Sequence, residues 1–182
     1  MRLGWVIGAV VVAGLAVARW LQRGEPAMIT IREFQPGDAS ALRAVFESSI
    51  HGIARRDYTP LQVQAWAPRK HDPDAWAKRL QDISPFVALR DGVAVGYADL
   101  QPGGCIEHFY VAAEAVGQGV GGRLMRRILA RAEELKLSEL TAHVSLTARP
   151  FFARFDFEVV EHRSVNVRGV DMRHAAMRRA LR

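Results

Sequence analysis

A single cysteine, Cys105, stands in a chain of 182 residues, which excludes an internal disulfide framework. Its place inside a predicted strand, with no partner motif, reads as a structural thiol and not a nucleophile. None of the fifteen glycines opens the pattern G-x-x-x-x-G-K-[ST], so a phosphate loop of the ATPase kind is excluded. The sequence offers no metal-ligand spacing, no repeat and no low-complexity stretch. The formal net charge of +6 comes mostly from arginine, yet no DNA- or RNA-recognition motif accompanies it, so nucleic acid is not the expected partner.

Long apolar runs are equally scarce, with one exception. Leu3 to Ala18 is unbroken apolar sequence, flanked by Arg2 on one side and Arg19 and Arg23 on the other, with Trp5 and Trp20 near its ends. Residues 3–21 are long enough to span a thin bilayer as an N-terminal apolar helix. Ala16-Val17-Ala18 also resembles a signal-peptidase site, and translation from Met28 would remove the segment altogether. These three readings stay open. Gly24-Glu25-Pro26 reads as a linker, dividing the chain into an anchor or signal segment at 1–27 and a domain at 28–182.

What the chain does have is concentrated between Cys105 and Leu124, where an apolar strand runs through a short loop into a glycine-rich helix start. Gly117, Gly119, Gly121 and Gly122 remove side chains where backbone must approach a ligand closely, and the first free N–H groups of the helix then face an anion. Gly117, Gly119 and Gly122 formally match the dinucleotide fingerprint G-x-G-x-x-G, so an oxidoreductase is one alternative. Against it, Ala112 to Val116 separate the glycines from their strand, the acid expected after the next strand is missing, and only about sixty residues remain for the rest of a doubly wound sheet.

Val116-Gly117-Gln118-Gly119-Val120-Gly121 resembles the coenzyme A loop [QR]-x-x-G-x-[GA] of the GNAT N-acetyltransferase family, apart from its first position. Phe109-Tyr110-Val111 resembles that family's strand ending L-Y-V, and Ala148 to Phe157 its A-x-x-F-Y-x-x-x-G-F block. With Ile29 to Asp38, Tyr58 to Gln62 and Ala65 to Ala67, the resemblance extends from Met28 to the C-terminus and to a subgroup of small uncharacterised bacterial acetyltransferases. It implies an α/β fold with a mixed central sheet and flanking helices, and an enzyme moving an acetyl group from acetyl coenzyme A to a primary amine by direct transfer. It also implies a place on the cytoplasmic side of the inner membrane if the apolar helix is an anchor, and in the cytoplasm otherwise. A non-catalytic acyl coenzyme A sensing module is the competing class.

The resemblance also assigns residues. Backbone N–H groups of Phe109, Tyr110 and Val111 are expected to meet the acetyl oxygen and pantetheine, Val116 to Gly122 the pyrophosphate, and Ser145 the pantetheine arm. Of Arg123, Arg126, Arg127 and Arg131, one or two are expected to reach coenzyme phosphates and the rest to form a solvated helix face. Glu107, beside apolar neighbours on the same strand face, is the candidate general base, while His108 points the other way and reads as structural. Phe152 stands where relatives carry a tyrosine that protonates the leaving thiolate, and a phenyl ring cannot donate. Acceptor specificity is expected from His51 to Trp66 and Arg163 to Arg173, with Tyr58, Trp66 and Trp76 either lining a pocket or filling core.

Overall fold

Apolar residues at alternate positions, punctuated by turn residues, give short strands, and the computed structural model shows how they pair across residues 28–181. The apolar segment read as an anchor or signal lies outside the described residues. Among the described residues no helix is long and apolar enough to cross a membrane. Strand β1 (Ile29–Glu33) pairs antiparallel with β2 (Phe86–Arg90), and β2 with β3 (Val93–Ala98). Asp91 and Gly92 join the last two with φ of 51° and 83°, the tight hairpin turn that the sequence predicts.

The expected single strand from Cys105 to Val111 is broken in two, which corrects the reading of one central sheet. Its first piece, β4 (Cys105–Ile106), pairs in parallel with β6 (Glu139–Ser145). Its second piece, β5 (Phe109–Val111), pairs antiparallel with β3. Two four-stranded sheets result, in the orders β1-β2-β3-β5 and β4-β6-β8-β7, the last hairpin being β7 (Glu158–Val167) and β8 (Val170–Ala180). A mostly antiparallel arrangement of this kind is not the doubly wound parallel sheet of a dinucleotide fold.

Asp99 holds the break open. Its fully buried carboxylate accepts from the backbone N–H of Glu107 at 3.0 Å and of His108 at 2.6 Å, and from the Gln101 side-chain amide at 2.5 Å. Amides that leave a sheet ladder need another acceptor when buried, and this side chain supplies it. Burial pushes the Asp99 carboxyl above the usual range, while these hydrogen bonds pull it back.

Among the described residues, five α-helices flank the sheets: α1 (Ala39–Ser48), α2 (Pro60–Trp66), α3 (Pro73–Ile83), α4 (Val120–Glu134) and α5 (Arg149–Ala153). Thr59 and Gln62 form a capping box at α2, and Asp72 accepts from the N–H groups of Asp74 and Ala75 at the start of α3. Asp38 does not cap α1 as its position suggests. It closes the preceding short turn by accepting from the Gln35 N–H at 2.8 Å and holds Arg32 through two contacts of 2.7 Å. Leu124, Met125 and Ile128 recur at helical spacing on α4 and are fully buried together with Leu42, Tyr97 and Leu140. His108 is part of this interior, with its ring 5.5 Å from Tyr110, 5.8 Å from Tyr97 and 6.2 Å from Trp76. Burial, helped by the Arg79 charge, drives its imidazole down to about 4, so it is a neutral core residue, as its position on the strand suggests.

Candidate active site

The broken strand leaves a wedge between the two sheets. Because Ala112 N–H bonds Val95 and the His108 carbonyl accepts from Asp99 N–H, the even-numbered residues of this segment face β3. In an antiparallel ladder the alternate residues face the other way, so the backbone groups of Phe109 and Val111 are directed into the wedge and those of Tyr110 are not. Across the gap, β4 ends at Ile106 opposite Ala142, leaving the edge of β6 from His143 to Ser145 without a strand partner on that side. A cavity of about 600 Å³ fills the wedge. Phe109, Tyr110, Val111, Val116, Gly117, Gly119, Val120, Gly121, Gly122, Ser145 and Glu107 all line it.

Helix α4 starts at the mouth of this chamber. Gly117 and Gly119 have φ of 80° and 83°, a region that side chains resist, and a Cβ at either would meet nothing within 4 Å on the protein side. The space they leave is open. No side chain caps the helix, and its first turn holds no acid, so its leading N–H groups remain available to an anion. From the other side, Ser48 at the end of α1 ties the loop down, accepting from Ala113 N–H at 3.0 Å and donating to Glu114 at 3.0 Å.

Some residues singled out in the sequence sit differently. Gln118 is turned away from the chamber, accepting from Arg90 at 2.6 Å and donating to the Glu114 carbonyl at 2.7 Å. Val120 is fully buried, so only its backbone can serve a ligand. Arg127 is held by Glu33 and Glu134 and lies 4.5 Å over the Phe86 ring, and Arg131 pairs with Glu134. Arg123 and Arg126 are exposed at the helix start without an ion pair among the described residues, Arg126 folding back over Gly122. Glu107 reaches the chamber wall while forming an ion pair with Arg79 of α3. Phe152 is buried in a cluster with Phe109, Phe151 and Phe157 at centroid distances of 5.1 to 5.8 Å. Ser145 accepts from Ala148 N–H at 3.1 Å, and its hydroxyl donates to no group among the described residues.

A second cavity of about 450 Å³ adjoins the first, and sequence reasoning located it only by region. Trp66, Tyr110, His143 and Ser145 line both. Tyr58 joins its wall, donating to the Arg173 carbonyl at 2.7 Å and accepting from Leu146 N–H at 3.0 Å, whereas Trp76 is spent on the core beside Phe46. His143 and His174, which no sequence signal marks, meet there at 3.0 Å. Their separation of 31 positions along the chain hides them from any local pattern.

A glycine loop at an uncapped helix start leads along a free strand edge into a wedge between two sheets, an arrangement open to a ligand with phosphate at one end. Residues 54–180 match the family model of the acetyltransferase (GNAT) domain, and the chain belongs to that family. It is 34% identical over 145 residues to the uncharacterised N-acetyltransferase YafP of Escherichia coli K12, covering 78% of this chain and 89% of that one. Its fold is similar to a crystal structure of a GCN5-related N-acetyltransferase from Rhodopseudomonas palustris, with a TM-score of 0.81, 29% identity, and coverage of 86% and 98% of the two chains. A PaiA N-acetyltransferase of Thermoplasma acidophilum, solved with coenzyme A, shares the fold at a TM-score of 0.64 and 15% identity over 85% of this chain and 99% of that one.

Proposed function

We propose that the enzyme transfers an acetyl group from acetyl coenzyme A directly to a primary amine, carried by a small molecule, a peptide or a protein. The observation that supports this reading most strongly is that the glycine loop and the free N–H groups of Phe109 and Val111 open onto one chamber. The coenzyme supplies an acyl thioester, whose carbonyl oxygen gains charge as the amine attacks. Backbone N–H groups fixed in a strand stabilise such charge without reorganising, and they would hold the acetyl oxygen and pantetheine. The residues from Val116 to Gly122, chiefly through their backbone, would hold the pyrophosphate, with Arg123 and Arg126 near its rim.

Glu107 is the proton acceptor on the larger chamber's wall. Its pairing with Arg79 orients it, and it receives the proton directly or through a water. Phe152 cannot return a proton to the departing sulfur; the Ser145 hydroxyl is the donor placed on the same wall. The test is an acetylation assay of the full chain against an alanyl tripeptide, an Nα-blocked lysine amide and spermidine. Turnover on at least one amine is expected, and Glu107→Gln should lower it by about 10² to 10⁴-fold with coenzyme affinity little changed. Tight coenzyme binding without turnover would favour a sensing module instead, and an unaltered Glu107→Gln would remove this residue from the mechanism.

A further inference from the structure

The smaller chamber offers an entering positive charge no carboxylate partner. Arg163 of β7 and Arg173 of β8 line it, and no carboxylate does. Arg163 is partly neutralised by Glu161, with contacts of 2.6 and 2.7 Å, and Arg173 forms no ion pair among the described residues. An ammonium group that enters has no carboxylate on this wall to pair with, so its proton must pass to a neutral base. Few groups can take it. Burial pushes the Tyr110 phenol up to about 12 and raises that of Tyr58, so neither phenol accepts a proton at neutral pH. The hydroxyls of Ser145 and Ser164 are too weakly basic. Two imidazoles remain.

His143 and His174 form one unit. The register places Ser145 opposite His174 and His143 opposite Ala176, so the two rings are diagonal neighbours on one face of the sheet, with centroids 5.1 Å apart. Nδ1 of His143 lies 3.0 Å from Nε2 of His174. Nε2 of His143 makes no hydrogen bond among the described residues, and His143 stands where the two chambers meet. With the Nδ1 proton donated to His174, Nε2 is an open acceptor at the passage to the thioester chamber. Burial first, then the neighbouring His143, holds His174 below the ordinary imidazole range, which suits it to stand behind His143 as a neutral acceptor.

We propose that His143 is a catalytic residue of the acceptor chamber, taking the proton from the incoming ammonium group on Nε2, with His174 as the positioning residue behind it. This rests on the amine-acetyltransferase reading. An N–H bond breaks, its electron pair becomes the lone pair that attacks, and the proton resides on His143. As the C–N bond forms and the C–S bond breaks, the second nitrogen proton leaves to Glu107, and the thiolate takes the Ser145 hydroxyl proton, which water replaces with one of the two protons the bases release. After both bases release their protons, the balance is one ammonium and one thioester giving one amide, one thiol and one proton.

The test measures kcat/KM of the full chain from pH 6 to 10, using whichever of the alanyl tripeptide, the blocked lysine amide and spermidine is acetylated fastest. His143→Gln should fall about 10²-fold at pH 7 and recover towards the parent as pH nears the amine's own pKa, roughly 8 to 10, while the acetyl coenzyme A Kd is unchanged. His174→Leu should move the acidic limb in the same direction. His174→Gln, whose amide oxygen can replace Nε2 as the acceptor, should keep most of the parent profile. A His143→Gln profile that superimposes on the parent, or is lowered equally at every pH, overturns the proposal. Glu107→Gln run alongside separates the two readings, because an active parent that loses rate at Glu107 but not at His143 leaves amine acetylation standing and removes the histidine station. If the parent acetylates none of the three amines, the underlying reading fails and this inference with it.

Discussion

The two adjoining chambers are built by opposite means. The larger one is made of backbone, with a free strand edge, two glycines at positive φ and the start of one helix carrying its polar groups. The smaller one is made of side chains, with Tyr58, Trp66, His143, Arg163 and His174 converging from separate elements. Backbone recognition suits a cosubstrate whose phosphates and amide arm never change. Side-chain recognition suits an acceptor that differs from enzyme to enzyme. Substitutions in the larger chamber should therefore abolish coenzyme binding outright, and those in the smaller one should alter rate and acceptor choice with the coenzyme still bound.

The largest effect is expected from Gly119→Glu. A side chain there enters the open space at the helix start, carries the charge least compatible with pyrophosphate, and strains a backbone at φ 83° by about 1 to 2 kcal/mol. Calorimetry should detect no acetyl coenzyme A binding while far-UV circular dichroism stays near that of the parent. Retained affinity would show that the loop is not the site, and the comparison between chambers would collapse.

Asp99 connects the two regions, since the broken strand exists only while its amides are satisfied. Asp99→Ala should cost about 3 to 5 kcal/mol in urea unfolding, because two buried N–H groups lose their acceptor. Asp99→Asn keeps an oxygen for both amides and should cost no more than about half as much. Equal losses would mean that the charge, and not the acceptor geometry, maintains the wedge.

The smallest effect is one of pH. His108 is neutral in the fold, with its pKa depressed from 6.5 to about 4, so the unfolded chain takes up a proton that the native state refuses. Stability present at pH 7 is lost as pH falls through this window, by up to about 3 kcal/mol. The raised Asp99 carboxyl works in the opposite sense, since a group whose pKa rises on folding adds stability as pH falls. Comparing the chain with His108→Phe isolates the histidine contribution: the variant's stability should vary less between pH 7 and 4.5, whatever its absolute value. An unchanged slope would place the acid sensitivity elsewhere.

The asymmetry between chambers also explains what could be read in advance. Glycines at 117, 119, 121 and 122 after an apolar strand are local, and backbone requirements show directly as residue type. The hairpin at Asp91-Gly92 and the start of helix α4 were legible for the same reason. The break in the strand was not, because its cause is Asp99, eight and nine positions before the amides it holds, and nothing in Cys105 to Val111 marks the interruption. The smaller chamber was least legible. Tyr58, Tyr110, His143 and His174 meet only through tertiary packing, and no local pattern brings the two histidines together or joins them to the tyrosines. Gln118 shows the converse error, since a position inside the loop motif does not ensure that its side chain faces the ligand.

The central claim, that a backbone-built wedge holds acetyl coenzyme A, is tested most directly by the melting temperature of the full chain with saturating acetyl coenzyme A, with NADH and with FAD. Preferential binding to the folded state should raise the midpoint with acetyl coenzyme A, by an amount equivalent to about 2.7 kcal/mol at a hundred times Kd, and neither dinucleotide should move it. No shift with acetyl coenzyme A, or an equal shift with NADH, would contradict the account.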